Sequence, residues 1–178
     1  LNVTDITRIK ACKDTVDFVI NSGGACVLMT HLGRPNGKEK ELSLSHILKD
    51  VSKCLDRKVQ FINDCIGDDV EKRVAQMKRG DILLLENLRF YKEETNGDET
   101  FAEKLSRLGD AYVNDAFGTC HRKHASTYTV TKYFHKKKYA GKLLEKELHI
   151  INKILENGKK PILSILGGAK VSSKLKIL

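Results

Sequence analysis

Residues 81–90, Asp81-Ile82-Leu83-Leu84-Leu85-Glu86-Asn87-Leu88-Arg89-Phe90, organise the chain around them. The apolar run Ile82–Leu85 follows a Gly80-Asp81 turn and gives way at once to polar residues. A run this short, with no polar residue to mark a wet face, has the pattern of an interior parallel strand covered on both sides. In open α/β sheets ligands gather just beyond the carboxyl ends of the strands, which is where Glu86, Asn87 and Arg89 stand. Taken alone, the stretch fits equally well a strand running into a solvated loop. The remaining segments break the tie.

On the N-terminal side, a helix over Ile66–Met77 precedes this strand, and before it Val59–Ile62 reads as a strand ending in Asn63-Asp64. Ser43 or Ser45 opens a helix that runs to Leu55. Ala25–Thr30 is a strand ending in His31-Leu32-Gly33-Arg34-Pro35, and Ile9, Cys12, Val16, Val19 and Ile20 fall on one face of a helix stopped by Gly23-Gly24. On the C-terminal side, Lys92–Asp98 reads as a solvated connection, Glu99–Leu108 as a helix, and Ala111–Val113 as a strand running into Asn114-Asp115-Ala116-Phe117-Gly118-Thr119-Cys120-His121-Arg122. The pattern weakens over Lys123–Tyr139, where Ser126-Thr127 offers a helix cap. After Gly141 a long amphipathic helix carries Leu143, Leu144, Leu148, Ile151, Ile154 and Leu155 and stops at Asn157-Gly158. Pro161 then introduces a strand over Ile162–Leu166 that leads into Gly167-Gly168-Ala169-Lys170. The sequence stops at Leu178 inside what reads as a further helix, so the domain begun there is expected to be incomplete. This alternation predicts an α/β fold with a doubly wound, mainly parallel sheet and helices on both faces, Rossmann-like in type.

At 178 residues, with 40% hydrophobic and 31% charged, the chain has enough material for one well-filled domain, or for one domain and a piece of another. The five cysteines, Cys12, Cys26, Cys54, Cys65 and Cys120, show no CxxC spacing, which suits a reducing compartment. Neither a membrane-span-length apolar stretch nor a signal-peptide pattern is present, so a soluble, cytoplasmic protein is expected. A net charge of +9 points to an anionic partner. The lysine runs His135–Lys138 and Gly158–Lys160 account for part of the excess and read as solvated loops.

The arginines are more informative. Arg34, Arg89 and Arg122 each follow a buried strand by a few residues, and in a parallel sheet those ends share one edge. Converging guanidiniums suit phosphate or carboxylate, because each presents a rigid fork of donors matched to an oxyanion. Gly167-Gly168-Ala169-Lys170, with Lys174 one turn further on, would offer bare amides and two ammonium groups to a polyphosphate. It is not a P-loop, and a tight turn with solvated lysines fits it as well. Cys120, His121 and His124 lack further ligands at a metal-site spacing, so substrate contact or ordinary hydrogen bonding is expected of them and of His31. No GxSxG elbow supports a hydrolase. Aromatic platforms for single-stranded nucleic acid are missing beside the arginines, so no nucleic-acid partner is expected.

Four segments carry a resemblance in order along the chain: Thr30-His31-Leu32-Gly33-Arg34-Pro35, Leu85-Glu86-Asn87-Leu88-Arg89-Phe90, Tyr112–Arg122, and Ile165-Leu166-Gly167-Gly168-Ala169-Lys170-Val171-Ser172. Together they resemble the phosphoglycerate kinases over essentially the whole chain. The resemblance implies a phosphoglycerate-binding N-terminal domain over residues 1–139, lacking its first strand. An interdomain helix over 140–157 and the start of a nucleotide-binding domain over 158–178 would follow, within a two-domain hinge enzyme. It implies transfer of a phosphoryl group between 1,3-bisphosphoglycerate and Mg-ADP, giving 3-phosphoglycerate and ATP, in a monomer. By motif match His31, Arg34, Arg89 and Arg122 would hold phosphoglycerate. Arg8 and Lys170 would reach the transferring phosphoryl, and Gly168, Lys170 and Lys174 would contact nucleotide phosphates.

Departures from the family pattern limit the carry-over. The early Arg-x-Asp-Phe-Asn-Val-Pro strand, with an Asp and an Asn that help bind substrate, does not occur here. Nor do the later glycine-rich turn and the aspartate that meets the metal. Ser173 stands where Asp is usual and Lys142 where an aromatic is usual. The chain alone is therefore expected to be inactive, and a non-catalytic anion-binding α/β module is the competing reading.

Overall fold

Ile82–Leu84 form β3, the middle strand of a three-stranded parallel sheet in the order β1-β3-β2, between β1 (Cys26–Leu28) and β2 (Val59–Phe61). Leu83 is in register with Val27 on one side and Gln60 on the other. The computed structural model describes residues 3–158, 160, 161 and 163. The chain divides into two units, Leu1–Lys146 and Glu147–Leu178, and the sheet lies in the first.

Side chains alternate across a strand, and here both faces are dry. Leu83 and Leu85 point into a core with Val27, Met29 and Ile62, closed by Val70 and Val74 of α4 (Asp68–Ala75) and by Phe101, Ala102 and Leu105 of α6 (Glu99–Ser106). Ile82 and Leu84 point into a second core with Cys26, Leu28, Val59 and Phe61. That core is closed by Ile9 of α1 (Thr7–Ala11), Val16 and Ile20 of α2 (Lys13–Asn21), and Val51 and Leu55 of α3 (Leu48–Leu55). The unbroken apolar run is the sequence record of this double burial, and Ile82, Leu83, Leu84 and Leu85 are each at most 1% exposed. Truncating any of them to Ala removes about 2–5 kcal/mol of stability.

Connection handedness explains why helices occupy both faces. The chain crosses from β1 over to β2 through α3 and returns through α4 to place β3 between them. Parallel crossovers are right-handed, so opposite directions of travel across the sheet put their helices on opposite faces. The expected doubly wound α/β arrangement is present. Its ladders divide: β4 (Tyr112–Asn114) pairs in parallel with β5 (Lys138–Ala140), with Val113 opposite Tyr139, apart from the three-stranded sheet.

Several local expectations shift. The first helix breaks at Cys12 into α1 and α2. The helix opened by Ser43 begins as a 3-10 turn over Leu44–Ile47, with the Ser43 hydroxyl accepting from the Ser45 amide at 3.2 Å. Within Lys92–Asp98, expected as a solvated connection, Lys92–Asn96 is a helix, α5, and its Glu94 is only 2% exposed. Gly97 closes α5 at φ +69°, where a Cβ would also stand 2.5 Å from the Lys123 carbonyl oxygen. A 3-10 segment, Thr129–Phe134, packs on α6. Helix α7 covers Lys142–Asn157, and Asp115 Oδ1 accepts from the Leu143 and Leu144 amides at its start, at 2.9 and 3.2 Å. The strand expected over 162–166 lies, apart from Leu163, outside the described residues. Among the described residues no helix is long and apolar enough to cross a membrane.

Candidate functional site at the carboxyl edge of the sheet

Beyond β3 the chain is pinned by two buried polar side chains. The Glu86 carboxylate accepts from the Ser43 hydroxyl at 2.6 Å, the Leu44 amide at 2.8 Å and its neighbour's Asn87 amide at 2.7 Å. Asn87 is fully buried and uses its whole amide: Nδ2 donates to the Leu32 and Leu42 carbonyls at 2.8 and 2.9 Å, and Oδ1 accepts from the Leu32 and Arg89 amides at 3.3 and 3.1 Å. Both stand where ligand contacts were expected. Their polar atoms are instead consumed in fixing the loop after β1 beside the loop after β3, so their role is to build the site.

That clamp determines where His31, Arg34 and Arg89 lie. Arg89 Nη1 donates to the Gly33 carbonyl at 2.8 Å, while its Nε is buried without a hydrogen-bond partner among the described residues. Burial and the neighbouring Arg122 and Arg34 push the Arg89 guanidinium below its ordinary pKa, with Glu94 opposing. Half-buried His31 is pushed down to about 4, first by burial and then by Arg89, His124, Arg122 and Arg8. Six cationic or imidazole groups from four separate segments, Arg8, His31, Arg34, Arg89, Arg122 and His124, are thus linked through Arg89 and His31. Arg8, in α1, and Arg34 and Arg122 are exposed. No carboxylate among the described residues lies within 4 Å of Arg8, Arg34, Arg89 or Arg122.

Of the four other arginines, two are paired with carboxylates among the described residues, while Arg73 donates to the Gln60 side chain and Arg79 has no carboxylate within 4 Å. Arg57 meets Asp17 at 2.9 Å and Arg107 meets Glu103 at 2.9 Å. The contrast matters because like charges held together in a partly desolvated cleft repel unless an anion stands between them. A guanidinium with one nitrogen on a carbonyl and another buried without a partner retains donors for such an anion.

His124 and Glu94 complete the cluster. The His124 ring is 8% exposed and its pKa is lowered by burial, Arg89, Arg122 and His121. Its Nδ1 lies 3.7 Å from Glu94 Oε1. Glu94 accepts from the Ser126 hydroxyl at 2.7 Å and the Ser126 amide at 3.0 Å, and burial raises its pKa against the pull of those bonds and of Arg89. Sequence reasoning set aside a metal role for His124 in favour of substrate contact or hydrogen bonding, and missed Glu94 altogether. No group of three or more His, Cys, Asp or Glu side chains among the described residues is placed to hold a metal. Gly168, Lys170 and Lys174 lie outside the described residues. A depression of about 650 Å³ lined by Ser106, Tyr133, Phe134, His135 and Lys136 shares no residue with the cluster, and none of its polar walls is buried.

Fold and cluster together define an α/β domain that gathers cationic side chains at the carboxyl edge of a parallel sheet, where ligands bind in such folds. The family model described as phosphoglycerate kinase matches residues 1–178. The chain belongs to the phosphoglycerate kinase family. The phosphoglycerate kinase of Aquifex aeolicus is 48% identical over 177 residues, covering 99% of this chain and 44% of that protein. The structure of phosphoglycerate kinase from Pyrococcus horikoshii superposes with a TM-score of 0.87 at 31% identity, over 99% of this chain and 44% of the other. That of phosphoglycerate kinase from Coxiella burnetii gives 0.82 at 35% identity, over 98% and 43%. The chain therefore spans less than half the length of the relatives it matches.

Proposed function

We propose that this chain supplies the phosphoglycerate-binding part of an enzyme that transfers a phosphoryl group between 1,3-bisphosphoglycerate and Mg-ADP, giving 3-phosphoglycerate and ATP. The observation that carries the proposal is Arg89, whose buried Nε has no hydrogen-bond partner among the described residues and which lies among Arg34, Arg122 and His31. Residues 1–139 bind the acid substrate, 140–157 form the interdomain helix, and 158–178 begin the nucleotide-binding domain. The family membership of the whole sequence supports this division.

In the direction of ATP synthesis, a terminal phosphate oxygen of ADP attacks the acyl phosphorus as the bond to the carboxyl oxygen breaks, leaving 3-phosphoglycerate as the carboxylate. In reverse, that carboxylate attacks the γ-phosphorus of ATP. Both attacking groups are already deprotonated near neutral pH, so no general base is required. Catalysis then consists of positioning and of neutralising charge on the equatorial oxygens. His31, Arg34, Arg89 and Arg122 hold the acid substrate's anionic groups, and Arg8 and Lys170 reach the transferring phosphoryl. Gly168 and Lys174, with Lys170, meet the nucleotide phosphates. Mg2+ would arrive with the nucleotide and offset phosphate charge, since the described residues offer it no ligand set. Five free cysteines agree with a cytoplasmic enzyme, and we take it to act as a monomer.

The test is a coupled assay with ATP and 3-phosphoglycerate on the full-length protein that carries this sequence. Turnover is expected in the parent, with a loss of about 100-fold in kcat/KM on Arg89→Ala, in line with one misplaced or lost substrate clamp. Normal turnover in Arg89→Ala would remove the site assignment.

A further inference from the structure

Glu94 is a buried carboxylate that binding of substrate does not explain. Taking a carboxylate out of water is expensive unless donors compensate for it, and all of its side-chain donors come from one short segment. Ser126 gives both its amide and its hydroxyl to the carboxylate, at 3.0 and 2.7 Å, and the Ala125 amide donates to the Glu94 carbonyl at 2.8 Å. One turn on, the Gly97 carbonyl accepts from the Thr129 hydroxyl at 2.9 Å, and the bare Gly97 Cα lets the Lys123 carbonyl approach. The segment held in this way follows Arg122 directly and carries His124. Arg89 lies just before α5 on the other side of the joint. Among the described residues Glu94 is the acidic group that acts on Arg89, against repulsion from Arg122 and Arg34.

We infer that Glu94 is a positioning residue for the oxyanion site: it clamps the His124–Ser126 segment to α5, sets the spacing of Arg89 against Arg122 and His124, and places one negative charge behind them. The inference rests on the phosphoglycerate reading of that site. Glu94 touches no substrate. It works through the segments on either side of it, and its charge offsets the mutual repulsion of the cations when no substrate is bound.

The experiment is steady-state kinetics on the full-length protein with Glu94→Gln, Ser126→Ala, the double variant and Arg89→Ala, with thermal melting of each. Gln keeps the shape of Glu94 but turns an amide NH2 donor toward one Ser126 donor and removes the charge. The expected result is a roughly tenfold rise in KM for 3-phosphoglycerate in Glu94→Gln, with KM for ATP unchanged. Ser126→Ala should give a smaller rise, and the double variant should be no worse than Glu94→Gln because one joint is lost. A lowered melting temperature with the acid-substrate KM unmoved in both single variants would overturn the inference and reduce Glu94 to packing. Should Glu94→Gln fail to fold, the KM of Ser126→Ala decides in the same way. Arg89→Ala separates the two levels: if it leaves the acid-substrate KM unchanged, the phosphoglycerate reading itself fails. If it raises that KM while Glu94→Gln and Ser126→Ala do not, only the clamp fails.

Discussion

His31 shows how burial and charge set the behaviour of a single residue. In water an imidazole titrates near 6.5, but here burial and the surrounding arginines hold it down to about 4. Between those values the unfolded chain binds a proton that the folded chain refuses, so stability rises with pH through this window. The contribution is fully present above about pH 6.5 and is lost as pH falls toward 4. Urea unfolding of the full-length protein from pH 7.5 to 4.5 should therefore show a steeper acid loss for the parent than for His31→Gln. Equal slopes would contradict the placement of His31. The same physics predicts that a bound phosphate or carboxylate raises the pKa of His31. An NMR titration of its ring protons with and without 3-phosphoglycerate should show an upward shift.

At the scale of elements, the site depends on how loops after neighbouring strands are joined, and this is where sequence reading both succeeded and fell short. The β3 strand was legible because a strand buried on both faces leaves an unbroken apolar run, and Arg34, Arg89 and Arg122 were legible because they recur after strands. Glu86 and Asn87 were placed correctly on the chain but not in their role, because sequence does not tell a polar side chain facing ligand from one spent on backbone amides. Glu94 was hidden in a stretch dense in Glu, Asn and Gly, whose composition is that of solvent-exposed loops; only the fold brings Ser126 to it. Two substitutions test these joints. Asn87→Ala removes a four-bond bridge and should lower stability by about 3 kcal/mol in denaturant melts, since it leaves buried backbone groups unpaired. Gly97→Ala meets both a left-handed backbone and the Lys123 carbonyl, and should lose about 1–3 kcal/mol. A stability change under 0.5 kcal/mol in either would contradict the geometry.

For the whole molecule, two faces of one sheet are sealed by helices of opposite connection, which leaves the carboxyl edge as the place where loops from β1, β3 and β4 meet around a cationic cluster. The net charge of +9 is therefore not spread as a uniform basic surface: lysines at 136–138 are exposed, whereas Arg89, His31 and His124 are drawn into the edge. Membership of the phosphoglycerate kinase family gives the cluster its proposed substrate. The most direct measurement is isothermal titration of 3-phosphoglycerate into the full-length protein and its Arg89→Ala variant, with Mg-ADP titrated into both as a control. The account predicts that Arg89→Ala binds 3-phosphoglycerate at least tenfold more weakly, about 1.4 kcal/mol or more, while Mg-ADP binds both alike. Equal affinity of parent and variant for 3-phosphoglycerate would contradict it.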